Sequence, residues 1–117
     1  MKRIIFPIIL GGFLIISGCM PRLTTLYYWD DYSHVLYNFK KNPTPEASEK
    51  YKESLLKIIN ESKKYDRQVP PGIYAEYGYL LIKKGNKEDG LKYLDLEVKT
   101  YPESAKFVAH LKEMLNR

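Results

Sequence analysis

The sequence predicts an all-α fold of about five antiparallel helices joined by short turns. Three observations predict it. Apolar residues recur every three or four positions from Tyr28 onward, as on one face of a helix. Pro, Gly and Asn interrupt the runs at helix-length intervals, at Asn42-Pro43, Pro70-Pro71-Gly72, Gly85-Asn86 and Tyr101-Pro102. No alternation of apolar and polar residues reaches a convincing strand length.

The first element precedes these helices. Met1-Lys2-Arg3 is followed by an apolar run from Ile4 to Ile16 and then by Ser17-Gly18-Cys19. That is the layout of a secretion signal, with a basic start, an apolar stretch and a small-residue cleavage site. As a helix the run reaches only ~20 Å against a hydrocarbon core of ~30 Å, and Pro7, Gly11 and Gly12 weaken it further. Ile16-Ser17-Gly18-Cys19 resembles a lipobox. The resemblance implies that residues 1–18 are removed and that Cys19 is lipidated and holds the protein to a membrane. Because Met20, not aspartate, follows the cysteine, it also implies the outer membrane, at its periplasmic face. The alternative, an ordinary cleavable signal or an uncleaved anchor, leaves the position of the lone cysteine a coincidence. Residues 19–25 read as a tether, since Pro21 biases its predecessor toward extended structure. Residues 26–117 form one small helical domain.

Cys19 is the only cysteine. Once lipidated, it leaves no thiol for a disulfide, a thiolate–metal site or a nucleophile, so stability rests on packing alone. The formal charge of +5 falls by two when Lys2 and Arg3 leave with the signal. The remaining excess is too small to argue for nucleic acid. Tyrosine is frequent, at 11 residues, which fits either an aromatic helical core or a binding face.

In the first helix Tyr28, Tyr32, Val35 and Phe39 recur at helical spacing, with Lys40 and Lys41 in the last turn and Asn42-Pro43 as the stop. The second opens on Thr44 as cap, Pro45 in the first turn and Glu46 against the dipole. It buries Ala47, Tyr51, Leu55, Ile58 and Ile59 and ends near Lys64. The third spans about 73–84, with Tyr74, Tyr77, Leu80 and Leu81 inward and Gly85 placed for a left-handed C-terminal cap. Asn86 caps the fourth, with Asp89 three residues on in the manner of a capping box, and Leu91, Leu94 and Val98 mark its buried side. The fifth spans about 105–116, carrying Phe107, Val108, Leu111 and Met114 or Leu115.

Residues 71–104 resemble a tetratricopeptide repeat, W-x2-L-G-x2-Y, then A-x3-F, then P. Tyr74-x2-Tyr77-Gly78-x2-Leu81 fits the first part, Gly90-x3-Leu94 the second, and Pro102 follows at the proper spacing. Gly78 and Gly90 then remove side chains where two helices cross, a position at which alanine is usual for residue 90, so Gly90→Ala is expected to be mild. Helices one and two resemble a degenerate earlier repeat in which Trp29 takes the place of Tyr74. The repeat has alanine where this chain has Glu97. Either Glu97 reaches solvent at the helix edge, or it is a buried or half-buried carboxylate tied to a lysine, a tyrosine hydroxyl or a ligand.

Residues 26–115 also resemble a family of small bacterial lipoproteins of unknown function. The carrying segments are Leu26-Tyr27-Tyr28-Trp29 with Tyr32, Pro70-Pro71-Gly72-x2-Ala75-x2-Gly78-Tyr79, Gly85-Asn86-Lys87, Glu97, and Pro102-Glu103-Ser104. Such proteins are often encoded beside a curli-secretion-type lipoprotein, and the resemblance implies an envelope role without naming an activity.

Catalytic and metal chemistry find little support. Asp30 and His34, with Asp31 beside them, place two metal-ligand types at helical spacing, but two ligands do not make a site, no second cluster completes one, and His110 stands alone. No phosphate loop or nucleophile elbow is present. The expected role is therefore a non-enzymatic, cofactor-free, lipid-anchored adaptor that holds an envelope protein, with another lipoprotein as the expected partner. A structural subunit of an envelope assembly is the alternative, and an accessory to an envelope hydrolase ranks below both. Repeats of this type bind on the first helix of each pair, so Tyr79, Ile82 and Lys83 are the candidate binding residues, supported from the next helix by Glu97. Ala75 shares that face, and His34, Tyr37 and Asn38 are the corresponding residues of the first pair.

Overall fold

The structure, a computed structural model, describes residues 25–117. The expectations for residues 1–18 and for Cys19 lie outside the described residues. The described residues form five α-helices and no strand: α1 (Tyr32–Lys41), α2 (Pro45–Lys64), α3 (Ile73–Lys83), α4 (Lys87–Thr100) and α5 (Ala105–Leu115). A short 3-10 turn, Pro102–Ser104, leads into α5.

Local chemistry sets most of the boundaries. Thr44 Oγ1 accepts from the Ala47 backbone N–H at 3.1 Å, and Pro45 occupies the first turn of α2, where its missing N–H costs nothing. Gly85 adopts φ 93°. It ends α3 in a Schellman arrangement, with Asn86 N–H donating to Leu81 O at 2.9 Å and Gly85 N–H to Ile82 O at 3.0 Å. Asn86 Oδ1 then accepts from Asp89 N–H at 3.4 Å to open α4. Asp89 answers through the Asn86 side-chain amide at 2.9 Å, where a full capping box would use the backbone.

One boundary differs from the sequence reading. The helical period begins at Tyr28, yet α1 begins at Tyr32. Asp30 sits at φ 47°, in the left-handed region that an aspartate tolerates and a continuing helix does not. Its carboxylate pairs with Lys57 of α2 at 2.7 Å, and Tyr32 N–H closes a turn onto Trp29 O at 3.1 Å. Tyr28 still packs on the core, from outside the helix.

α3 is the hub. One side of it, Ile73, Tyr74, Tyr77 and Leu80, packs into the main core with Tyr51, Leu55, Ile58 and Ile59 of α2. The opposite side meets α4, and Ala75 joins Leu94, Val108 and Leu111 in a second core that seats α5. Tyr101 locks one end of the molecule, its buried hydroxyl donating to Val69 O at 2.6 Å.

The α3–α4 crossing is close because it is made by two glycines. A Cβ on Gly78 would lie 2.6 Å from the Gly90 carbonyl oxygen, and one on Gly90 would lie 2.6 Å from the Gly78 oxygen and against the Ile82 side chain. The helices run antiparallel in a fixed register, with Gly78 on Gly90, Ala75 beside Leu94, and Gly72 at Glu97. This corrects the expectation that alanine is tolerated at position 90. Within an unhindered helix Gly→Ala stabilises by roughly 0.5–1 kcal/mol. Here the backbone oxygen leaves no room, so Gly90→Ala is expected to destabilise by about 1–3 kcal/mol through overpacking, and Gly78→Ala likewise. Chemical denaturation of the purified variants checks the sign.

Candidate functional site: a groove between α1, α3 and α5

The side of α3 between the two cores opens onto a groove of about 610 Å³. Its floor is α3, through Ala75, Glu76, Tyr79 and Leu80, with Gly72 at the start of the helix. One wall is α1, through Leu36, Phe39 and Lys40, backed by Tyr51 of α2. The other wall is α5, through Phe107, Leu111 and Met114. Three of these apolar side chains are largely uncovered: Phe107 at 59%, Met114 at 49% and Tyr79 at 38% exposure.

Two carboxylates flank the first turn of α3. Glu97 is buried, at 2% exposure. Its Oε1 accepts from Gly72 N–H at 2.8 Å and its Oε2 from Ala75 N–H at 3.3 Å. Gly72, the N-cap of α3, has φ 91° and no side chain to satisfy the helix's free donors. Glu97 therefore caps α3 from across the crossing, where a negative charge also meets the positive end of the helix dipole. Its partner is neither a lysine nor a tyrosine hydroxyl but the backbone of its neighbour helix.

Glu76 holds the other side. Tyr32 O–H donates to its Oε1 and Oε2, each at 2.9 Å, and Tyr51 O–H donates to Oε2. Phe39 stacks on the Tyr51 ring at 5.2 Å between centroids, and Trp29 lies 5.5 Å from Tyr32. Burial, reinforced by the bond to Glu76, pushes the Tyr32 hydroxyl up to about 12 and raises that of Tyr51 further. Neither Glu76 nor Glu97 pairs with a cation among the described residues.

The structure divides the sequence-predicted residues. Tyr79 lines the groove, as does Ala75. Ile82 lies about 60° around α3 from Tyr79, toward the Gly78 side, and there it packs against Gly90 and the second core instead of lining the groove. Lys83 is exposed and outside the groove lining. His34, Tyr37 and Asn38 are exposed on α1, with Asn38 Nδ2 3.0 Å from His34 Nε2, but Leu36, Phe39 and Lys40 line the groove. Among the described residues no cluster of His, Cys, Asp and Glu suits a metal ion. There Asp30 is engaged by Lys57, whose hydrogen bond holds the Asp30 carboxyl below its ordinary value.

Sequence reasoning missed Glu76, Phe107 and Met114 as parts of one site. Phe107 and Met114, seven residues apart on one helix face, were legible only as core candidates. For Glu97 a signal existed: α3 starts at Pro70-Pro71-Gly72 without a Ser, Thr, Asp or Asn cap, and a helix lacking its own cap needs a donor-satisfying group from elsewhere.

Two predictions follow from this geometry. Glu97→Ala leaves the buried Ala75 donor and the part-buried Gly72 donor without their partner and should cost about 1–3 kcal/mol of stability, with faster hydrogen exchange at the Ala75 amide. The second concerns alkaline pH. The Tyr32 hydroxyl titrates near 10.0 when unfolded and near 12 when folded, so between those values the folded state holds the proton that the unfolded state releases. Stability should be complete below about pH 10 and fall as pH rises toward 12. Tyr32→Phe should make the decline shallower in thermal melts taken across that range.

Among the described residues no helix is long and apolar enough to cross a membrane. No curated protein matches the chain at a significant level, and no solved structure does. Residues 26–111 match a family model described as a domain of unknown function, DUF4810. The match spans α1 to α4 and the first half of α5, so the chain belongs to the DUF4810 family.

Proposed function

We propose that the protein is a lipoprotein of the outer membrane, anchored through Cys19, whose helical domain acts as a protein-binding adaptor in the envelope. The observation that carries the binding role is the groove, in which Tyr79, Phe107 and Met114 expose apolar surface along a shared depression. Uncovered apolar patches of this kind are a usual feature of interaction sites. The arrangement of helices supports the tetratricopeptide-like reading as well. α1, α3 and α5 are the first, third and fifth helices, and all three contribute to one groove, as the first helices of stacked repeats line a concave binding face. The Ile16-Ser17-Gly18-Cys19 sequence supports the anchor, and the adaptor's expected partner is another envelope lipoprotein or an assembly complex. This is a binding role, with no catalytic step assigned.

The test uses the full chain in intact cells of a bacterium that encodes it, with a photo-crosslinking amino acid in place of Phe107. A discrete protein adduct in the membrane fraction is expected, and Tyr79→Ala should reduce it severalfold while helicity is retained. Cys19→Ser should release the protein from that fraction or leave it as the uncleaved precursor. An adduct indifferent to Tyr79→Ala would place binding on another face, and a Cys19→Ser protein that still incorporates labelled palmitate would refute the anchor.

A further inference from the structure

The groove is apolar along both walls, yet one charged group stands in its floor. Glu76 lines the groove, is half-buried, and pairs with no cation among the described residues. The hydroxyls of Tyr32 and Tyr51 orient the carboxylate, but two neutral donors do not cancel its charge. Tyr32 shares one proton between both oxygens, and a carboxylate has about four acceptor sites, so room remains for an incoming N–H. Glu97 adds a second carboxylate across the same first turn of α3, behind the groove-lining Gly72 and Ala75. Its charge is offset in part by the end of the helix dipole. Near apolar walls the field of such charges is screened less than in water.

The groove carries one positive side chain of its own. Its one lining cation, Lys40, sits in the last turn of α1 and makes no ion pair among the described residues. A further constraint bears on the shape of the occupant. The described residues present no strand edge, so an extended segment laid in the groove would bury backbone donors and acceptors without partners. A helix brings its own backbone bonds and offers one apolar face, the mode by which amphipathic helices occupy hydrophobic grooves.

We propose that the groove receives an amphipathic helix of a partner protein, and that a lysine or arginine on that helix meets the Glu76 carboxylate. The proposal rests on the groove-binding reading above and adds the chemistry of the occupant. A cation buried against Glu76 adds specificity as well as affinity, because an acidic residue at that position would be left against an unpaired carboxylate.

The test uses the purified full chain in non-ionic detergent micelles. The probes are a fluorescein-labelled amphipathic helix of leucine and lysine, about twelve residues long, and a twin with glutamate at each lysine position. Fluorescence anisotropy is read against empty micelles. The lysine peptide should bind about tenfold or more tighter than its twin. Glu76→Gln keeps the shape and an acceptor for the tyrosines but removes the charge, and should bring the two affinities within about twofold. Phe107→Ser with Met114→Ser should weaken the binding of the lysine peptide severalfold. Equal binding of the two peptides to the wild-type chain, or a preference that survives Glu76→Gln, overturns the charge assignment alone. Binding untouched by the Phe107 and Met114 changes, or no binding above empty micelles, overturns the groove reading itself. Should Glu76→Gln fail to fold, salt gives the same answer on the wild-type chain. Raising ionic strength from about 0.05 to 0.5 M should weaken the lysine peptide severalfold, and an unchanged affinity would overturn the charge assignment.

Discussion

The contact between Gly78 and Gly90 is the constraint on which the rest of the structure depends. Each helix presents its backbone to the other without an intervening side chain, and this close approach fixes both separation and register. Two turns along α4 from Gly90, the same face carries Glu97, and its carboxylate arrives within hydrogen-bond reach of Gly72 and Ala75. The cap on α3 is thus a consequence of the crossing. A helix pair held wider by side chains would leave Glu97 buried without partners and the first turn of α3 without a cap, two costs of the same kind.

With α3 held this way, its circumference is divided three ways. Ile73, Tyr74, Tyr77 and Leu80 go to α2, while Ala75 and Gly78 go to α4 and α5. Glu76 and Tyr79 are left over, and they become the floor of the groove. Two of the tyrosines are explained by this layout. Tyr51 and Tyr101 are buried by ring and satisfied by hydroxyl, the first on Glu76 and the second on Val69 O. Phenylalanine at those sites would fill the same volume but leave Glu76 and the Val69 carbonyl short of donors. Aromatic bulk and polar satisfaction are delivered together, in a small domain where Cys19, the only cysteine, lies before the first helix.

The elements were legible in the sequence wherever the determining chemistry is local. Thr44 with Pro45, Gly85 with Asn86, and Tyr101 with Pro102 set boundaries through interactions a few residues long, and the helices begin and end where those residues stand. Tyr28 was misassigned to α1 because a residue packed on the core from a turn has the same period as one on the helix, and the left-handed backbone of Asp30 has no signature in the pattern. The candidate site was read less well. Tyr79 is legible by position in the repeat pattern, whereas Ile82, only about 60° around the same helix, packs against Gly90, and where the boundary between groove and crossing falls on that face depends on how α4 is seated. Glu97 stood out because it replaces a small residue, but the backbone amides that receive it are more than twenty residues away.

The sequence by itself determined the all-α class, the order of the helices and their ends except the start of α1, the glycine crossing and the oddity of Glu97, because periodicity, caps and turn residues act over one or two helical turns. Only the tertiary structure decided which side of α3 is left uncovered. It brought Phe39, Glu76 and Phe107 from three helices around one groove, and set Glu97 and Glu76 on opposite sides of a single turn. Those outcomes depend on how far apart and at what angle whole helices pack, and helix separation here is set by backbone contact at two glycines, which a linear pattern marks but does not measure.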